Sequence, residues 1–550
     1  MKKKLSIITA ILLCLVLVLT LFVACEKDKD DGIKAWEKNE WVASDSALYR
    51  DYYHIFVYSF CDSNGDGIGD LKGIESKLDY IANLGFNGIW LSPIHPSSTE
   101  HCYDVEDYYG VNSKFGTLSD FDDLVAAAHE KGISIMMDLV INHSSNRHKW
   151  FVDAQQRGES SPYFDYYTFY NSSRTEYATF GTEKSMPKLN LNNENLRAEL
   201  EEICKYWLQT HGVDAFRLDA AYHFYGNATQ NVNFMKWFMG MAQKYNPDVY
   251  MVGEVWQGET VVYSHYAENS VQSFFNFYFS SAPGNNKLMI YLNPGRSDRA
   301  SNVTTLLQKN ETNTSAGIDA LFASNHDTSR IANQVSYLDR ADRFEVSRYE
   351  MHKMAIALLY TQTGNVFSYY GNEIGMRNGI RAKVTSDYTD YTYRTAMYWG
   401  DDAMYASGGG FAYKAYGYET NFGMYDSSMY DEHLGGVDVQ MKDQNSIYNF
   451  YRRVMLLRRQ NPEIAQGKST FIATDNPDLL VLVREYKGSK ILMVYNLNPD
   501  NKIVYDVSAI ISQYGLKGKL RGFLSADNSR DVTVSGSKVT LPQFSVAVIN

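Results

Sequence analysis

Short apolar runs alternate with longer amphipathic stretches along most of this chain. The runs fall at 54–59, 88–91, 133–140, 213–218, 250–255, 273–277, 318–323 and 365–370. Eight such runs interleaved with helical stretches predict a parallel sheet with crossover connections, and eight strands can close a barrel. Periodicity by itself does not exclude an open sheet. The polar residues favour closure. Asp138, Asp219, Glu254 and the pair His326-Asp327 all sit at the ends of runs, and in a barrel those ends converge on one face. The expected class is α/β, a (β/α)8 TIM barrel over 48–142 and 193–461. Two regions break the rhythm. Residues 143–192, rich in Tyr, Ser, Asn and Gly, are too long for an ordinary loop and read as a small inserted domain. From 462 to 550 short alternating strands follow one another without helices, at 479–484, 491–496, 532–534 and 545–549. They predict a separate C-terminal antiparallel β-sandwich.

The amino terminus reads as a targeting segment. Lys2, Lys3 and Lys4 precede an apolar run to Ala24, and Val23-Ala24-Cys25 is followed at once by charged residues. This resembles a bacterial lipoprotein signal over 1–24, with Cys25 as the lipidated first residue and 25–47 as a charged linker. Phe22 departs from the Leu usual there, and a membrane-spanning anchor is the alternative. Either reading exports the protein and tethers it at the cell envelope.

At 550 residues, 45% hydrophobic and 21% charged, the chain is globular and long enough for several domains. Its formal charge of −12 argues against nucleic acid or anionic lipid as a ligand and suits a neutral one. Aromatic residues reach 14%, with 43 Tyr against 27 Phe, and Tyr offers sugars an apolar face plus a hydroxyl, although most pack cores. Apart from Cys14 in the leader and Cys25 at the expected lipid site, only Cys61, Cys102 and Cys204 remain, so no disulfide framework is expected. A monomer is expected.

Four stretches carry the candidate chemistry: DLVINH at 138–143, GVDAFRLDAAYH at 212–223, GEVW at 253–256 and SNHD at 324–327. Cleaving a glycosidic bond needs a carboxylate to attack or shield the anomeric carbon and a carboxylic acid to protonate the leaving oxygen. Asp219 and Glu254 can fill those roles. Any one of these His or Asp residues alone reads equally well as a hydrogen-bonding residue at a strand end.

With these motifs in view, the chain resembles the alpha-amylase family of glycoside hydrolases from about residue 48 to its carboxyl terminus. The resemblance implies a catalytic barrel, a small domain B at 143–192 and a C-terminal sandwich. It implies that Asp219 is the nucleophile, kept ionised by Arg217 two residues earlier on the same strand face. Glu254 becomes the general acid/base, which needs a raised pKa. Asp327 is the third carboxylate, holding sugar hydroxyls, and His326 and His143 hydrogen-bond the same ring. His101-Cys102-Tyr103-Asp104 resembles the family's His-Gly-Tyr-Asp, which makes Tyr103 the platform under the sugar in subsite −1, with His101 beside it and Cys102 in place of a Gly. Asp390 and Arg394 match an Asp-x-x-x-Arg pair that contacts the same sugar. Glu100 stands where exo-acting alpha-glucosidases tend to carry Asp, and Ala220 resembles α-1,4-specific members.

Asp62, Asn64, Asp66, the carbonyl of Ile68 and Asp70 alternate as oxygen donors suited to Ca2+. Gly73 stands where an EF-hand would need Glu, and the loop instead resembles the one after strand one in amylases and alpha-glucosidases. For a second calcium near domain B, Asn142 and His223 match family ligands, but Lys188 and Asn190 stand where carboxylates are usual, and Lys188 could replace the ion. The reading is a lipid-anchored, calcium-binding, retaining, endo-acting α-1,4-glucan hydrolase acting on starch or maltooligosaccharides outside the cell. A cyclodextrin- or pullulan-cleaving enzyme or an alpha-glucosidase is the alternative, since MPKLN at 186–190 resembles the cyclodextrin-cleaving branch. A non-catalytic glucan-binding protein is the alternative of another class, and the presence of all three carboxylates speaks against it.

Overall fold

The structure, a computed structural model, describes residues 34–39, 46–280, 287–293, 296–338, 348–379, 392–400 and 434–550. The leader, Cys25 and Asp390 lie outside the described residues. The chain forms two compact units, Met1–Asn39 and Glu40–Asn550. In the first, a 3-10 turn is described at Ala35–Lys38.

In the second unit eight parallel strands share one sheet. They are β1 (Tyr52–Ile55), β2 (Gly88–Leu91), β3 (Ser134–Leu139), β4 (Ala215–Leu218), β5 (Tyr250–Gly253), β6 (Ser273–Phe274), β7 (Ala320–Phe322) and β8 (Asn365–Tyr369). Neighbours run β6-β5-β4-β3-β2-β1-β8-β7. A parallel bridge between Phe275 and Ala320 joins the two edges, and Asn276 N–H donates to the Ala320 carbonyl at 3.0 Å. The sheet is therefore a barrel. Each expected run carries a strand, but several strands are shorter. β1 ends at Ile55 because Val57–Phe60 winds into a helical turn. β6 ends at Phe274 because Asn276 caps a 3-10 turn at Phe277–Phe279.

Large rings fill the barrel. Tyr52, Trp90, Tyr250, Phe275, Phe322 and Phe367 share one buried cluster, and Tyr52 stacks between Tyr250 at 5.7 Å and Phe367 at 4.9 Å. Gly88 makes room for this, because a Cβ there would lie 2.5 Å from the Tyr52 ring. The outer helices follow from pattern and caps. In Leu118–Glu130, Phe121, Leu124, Val125 and Ala128 form one buried stripe, and a Thr117–Asp120 capping box closes the amino end. Burying each larger side chain of that stripe contributes about 1.5–3 kcal/mol.

Between β3 and β4, residues 143–192 hold a helix at Lys149–Arg157 and a hairpin of Thr179–Phe180 with Glu183–Pro187. Beyond the barrel, Lys468–Ile472, Leu479–Tyr486, Ser489–Asn496, Ser545–Ile549 and Leu520–Ser525 form an antiparallel sheet, and Ile503–Asp506, Lys538–Leu541 and Thr533–Ser535 form a second. The C-terminal region is not helix-free, as its pattern suggested. Ser508–Tyr514 is a helix ended by Gly515 in the left-handed conformation. Among the described residues no helix is long and apolar enough to cross a membrane, and Cys61, Cys102 and Cys204 are buried.

Candidate active site

The strand ends do converge. A cleft of about 470 Å³ is lined by His101, Tyr103, His143, Asp219, Glu254, Asp327 and Arg394, among others. At its floor one guanidinium organises three carboxylates. Arg217 Nη1 donates to Asp138 at 2.8 Å and to Asp219 at 2.6 Å, and Nη2 meets Glu254 at 3.0 Å. Arg217 reaches all three because residues on neighbouring strands stand side by side: it pairs with Asp138 across β3 and β4, and its own strand ends at Leu218, just before Asp219.

The turn after Asp219 is also used. Ala220 takes the left-handed conformation, φ 48° and ψ 36°, which is costly for a residue with a side chain. In that conformation its N–H donates to Glu254 Oε2 at 2.9 Å. The two carboxyls are thus tied together from both sides.

Tyr103 supports the opposite wall. Its hydroxyl lies 3.1 Å from Asp138 Oδ2 and 2.6 Å from His326 Nε2, and its ring stacks on His326 at 5.6 Å. His143 Nε2 holds the Tyr103 carbonyl at 3.1 Å, and Tyr103 N–H donates to His101 Nδ1 at 3.0 Å. Arg394 donates from Nε to the His326 carbonyl at 3.0 Å and from Nη2 to Asp327 at 2.7 Å. Cys102 adopts φ +59°, so it takes up the left-handed turn that the Gly of the related motif would make, at a cost of about 1–2 kcal/mol. Cys102→Gly should then change the melting temperature little, because strain relief offsets the lost buried thiol. Cys102→Val, β-branched at positive φ, should lower it by several degrees in a calorimetric scan.

Burial sets the electrostatics. It pushes Glu254 up to about 7, with Asp219 and Asp327 adding to the rise and Arg217 opposing it. It pushes Asp138 up to about 8 against the pull of Arg217. Asp219 is also raised by burial, and Arg217 works against that rise, so the arginine moderates the protonation of Asp219 without deciding it alone. A single cation among three buried carboxylates leaves excess negative charge, and a proton held on one of them relieves it. The imidazoles are neutral: burial lowers His143 to about 4, and it lowers His326 well below its ordinary value with help from Arg394 and Arg217.

Comparison with known proteins agrees with this geometry. Residues 54–467 match the alpha amylase catalytic domain, and over 466 residues the chain is 34% identical to Alpha-amylase 3 of Dictyoglomus thermophilum, covering 81% of this chain and 84% of that protein. The chain belongs to the alpha-amylase family of glycoside hydrolases. Amy13B of Eubacterium rectale superposes with a TM-score of 0.80 at 34% identity, covering 94% of this chain and 97% of that one. An oligo-1,6-glucosidase of Bacillus cereus is 28% identical over 82% of this chain and 90% of its own. This alpha-amylase-family enzyme thus has the (β/α)8 barrel and C-terminal antiparallel sheets its sequence predicts.

The oxygen-rich loop folds as nested turns. Asp62 Oδ1 accepts from Asn64 and Gly65 N–H at 3.0 and 2.6 Å, Asp62 Oδ2 from Gly67 N–H at 2.8 Å, and Asp66 Oδ1 from Ile68 N–H at 2.8 Å. Asp70 is turned to Ser63 and to Gly73 N–H, capping the helix at Leu71–Glu75. The donors are all hard oxygens, which fits Ca2+; Asp62 Oδ2, Asp66 Oδ1 and Asp70 Oδ2 each accept one hydrogen and keep a second lone pair, whereas Asp62 Oδ1 and Asp70 Oδ1 each accept two. Among the described residues no three His, Cys, Asp or Glu side chains already converge as a metal cluster. Near the inserted hairpin, Lys188 Nζ donates to the His223 carbonyl at 2.6 Å.

Several residues of the site carried no assigned role in the sequence. Asp138, beneath the cleft floor, and Trp256 at its wall were inside quoted motifs, and Met186 inside MPKLN. Phe180, Glu183 and Ser185 gave no local signal, since they reach the cleft only because the inserted hairpin folds back over it.

Proposed function

We propose that this enzyme is a retaining, endo-acting hydrolase of α-1,4-glucosidic bonds in starch or maltooligosaccharides. The observation that carries the reading is the single Arg217 guanidinium bonded to both Asp219 and Glu254. Two carboxyls bridged by one planar cation stand close together, as double displacement requires, instead of leaving the wider gap that houses a water in inverting enzymes. Glu254 protonates the glycosidic oxygen while Asp219 attacks the anomeric carbon. Glu254, now ionised, then takes a proton from water as water displaces Asp219. Asp327, held by Arg394, is placed to grip hydroxyls of the distorted sugar, and Tyr103 to support its face. Asp390 would join Arg394 there. Ala220 and the Glu100-His101 wall support α-1,4 and endo action.

A second reading, cleavage of α-1,6 bonds, cyclodextrin or pullulan, is favoured by the Bacillus cereus relative and by Met186 at the cleft wall. Product time courses on amylose, pullulan and cyclodextrin separate the two. Early release of mixed maltooligosaccharides from amylose supports the first, and glucose alone from chain ends overturns it.

Ca2+ held by Asp62, Asn64, Asp66, the Ile68 carbonyl and Asp70 would stabilise the fold by binding the native loop and neutralising its three carboxylates. Chelation should lower the melting temperature by several degrees before activity at low temperature falls, and an unchanged melting curve would remove the metal. Lipidation of Cys25, supported by the leader's sequence, would hold the acidic catalytic body at the cell exterior where large polymers are met.

A further inference from the structure

Arg394 is held by its backbone as well as by its side chain. No strand or helix is described over 393–397, so no ladder fixes that stretch, yet Arg394, Thr395 and Met397 are buried and their peptide groups need partners. Three consecutive carbonyls there meet side-chain hydroxyls. Tyr369 donates to the Tyr393 carbonyl at 3.1 Å, Ser59 to the Arg394 carbonyl at 2.7 Å and Tyr370 to the Thr395 carbonyl at 2.5 Å. Met397 N–H donates back to the Ser59 carbonyl at 2.9 Å. The three hydroxyls come from distant places: Ser59 from the helical turn after β1, Tyr369 from the end of β8 and Tyr370 from just beyond it.

The two tyrosines are themselves fixed by the loop that carries Asp327. Arg330, a few residues beyond Asp327 and fully buried, lies over the Tyr369 ring at 4.5 Å and the Tyr370 ring at 5.0 Å. Its Nη1 donates to the Tyr370 carbonyl at 2.6 Å. Gly371, at φ +82°, leaves room for this approach, because a Cβ there would lie 3.1 Å from Arg330 Nη1. The contacts close a ring. It runs from Asp327 along the chain to Arg330, across to both tyrosines, through their hydroxyls to the backbone on either side of Arg394, and from Arg394 Nη2 back to Asp327 Oδ1 at 2.7 Å. Such closure matters at a reacting centre, where a misplacement of about 1 Å can cost about 10²-fold in rate.

We propose that Ser59, Tyr369 and Tyr370 are positioning residues: by pinning three successive carbonyls they aim the Arg394 guanidinium, and through it the Asp327 carboxylate, at the sugar under attack. This rests on the sugar-gripping role proposed above for Asp327. All three are buried and none lines the cleft, so their effect on turnover passes through Arg394. A carboxylate that grips the distorted sugar holds it more tightly in the transition state than in the ground state. Mis-aiming it therefore lowers kcat and leaves KM nearly unchanged.

The test is a mutant cycle on maltotetraose, with Ser59→Ala, Tyr369→Phe and Tyr370→Phe each made in wild type and in Arg394→Ala, and with the melting temperature recorded for all. Each phenylalanine keeps the ring beside Arg330 and removes only the hydroxyl. In the wild-type background Tyr370→Phe should lower kcat about tenfold, and Tyr369→Phe with Tyr370→Phe about a hundredfold, with KM within about twofold of its starting value. In the Arg394→Ala background the same changes should lower kcat by less than about twofold, because the group they aim is gone. Equal losses in both backgrounds mark a merely structural role and overturn the proposal, as does an unchanged kcat in the wild-type background. Arg394→Ala with wild-type kcat overturns the underlying role of Asp327 and Arg394, and the proposal with it. A wild type that cleaves neither maltotetraose nor amylose overturns the glucan-cleaving function itself.

Discussion

Asp219→Asn should reduce turnover on maltooligosaccharides by on the order of 10⁴-fold or more while sugar binding persists. The carboxylate that must bond to the anomeric carbon becomes a neutral amide, yet its shape and its place beside Arg217 are kept. Binding measured by calorimetry with maltotetraose should therefore change little. The wild-type counterpart is stereochemical: proton NMR on fresh product should show the α-anomer first, because two successive inversions restore the starting configuration. Release of the β-anomer would mean that water attacks directly and that Asp219 is a base. Substantial residual turnover in Asp219→Asn would move the nucleophile elsewhere.

That prediction was legible in the sequence because Asp219 belongs to a short-range pattern. Arg217 and Asp219 are spaced by the two-residue period of a strand, so a shared face followed from their numbers alone, and the structure puts them 2.6 Å apart. The barrel was legible for a similar reason, since eight apolar runs with polar ends are a repeated local signal. Side chains brought together by distant segments were harder to see. Asp138 becomes part of the Arg217 network only through the registration of β3 against β4. Phe180 enters the cleft because the hairpin inserted between β3 and β4 folds above it, and no periodicity encodes that approach. The helix at Ser508–Tyr514 was missed because its neighbours alternate as strands and its one fully buried side chain, Ile510, gives too weak a stripe. The leader and Asp390 are matters of sequence alone here, since both lie outside the described residues.

Glu254→Gln should lower kcat on starch by about 10²–10⁴-fold and remove the alkaline limb of the pH profile. Glu254 must carry a proton to act as an acid, and burial raises it to about 7. Activity of the wild type is therefore retained below that pH and falls as the carboxyl ionises above it. The acidic limb belongs to Asp219, which must be ionised to attack. Because burial raises it, that limb should lie above the range of an ordinary aspartate. Other groups are poor candidates for the alkaline limb. His326 and His143 are already neutral, and Asp138, raised to about 8, is engaged by Arg217 and Tyr103 and has no exposed surface at the cleft. The substitution also makes the two carboxyls separable by rescue. With α-maltosyl fluoride, which leaves without a proton, Glu254→Gln should still form the glycosyl-enzyme but hydrolyse it slowly, and azide, which needs no base, should restore turnover and give the α-azide. An alkaline limb unchanged in Glu254→Gln, or rescue giving the β-azide, would reverse the roles assigned to Asp219 and Glu254.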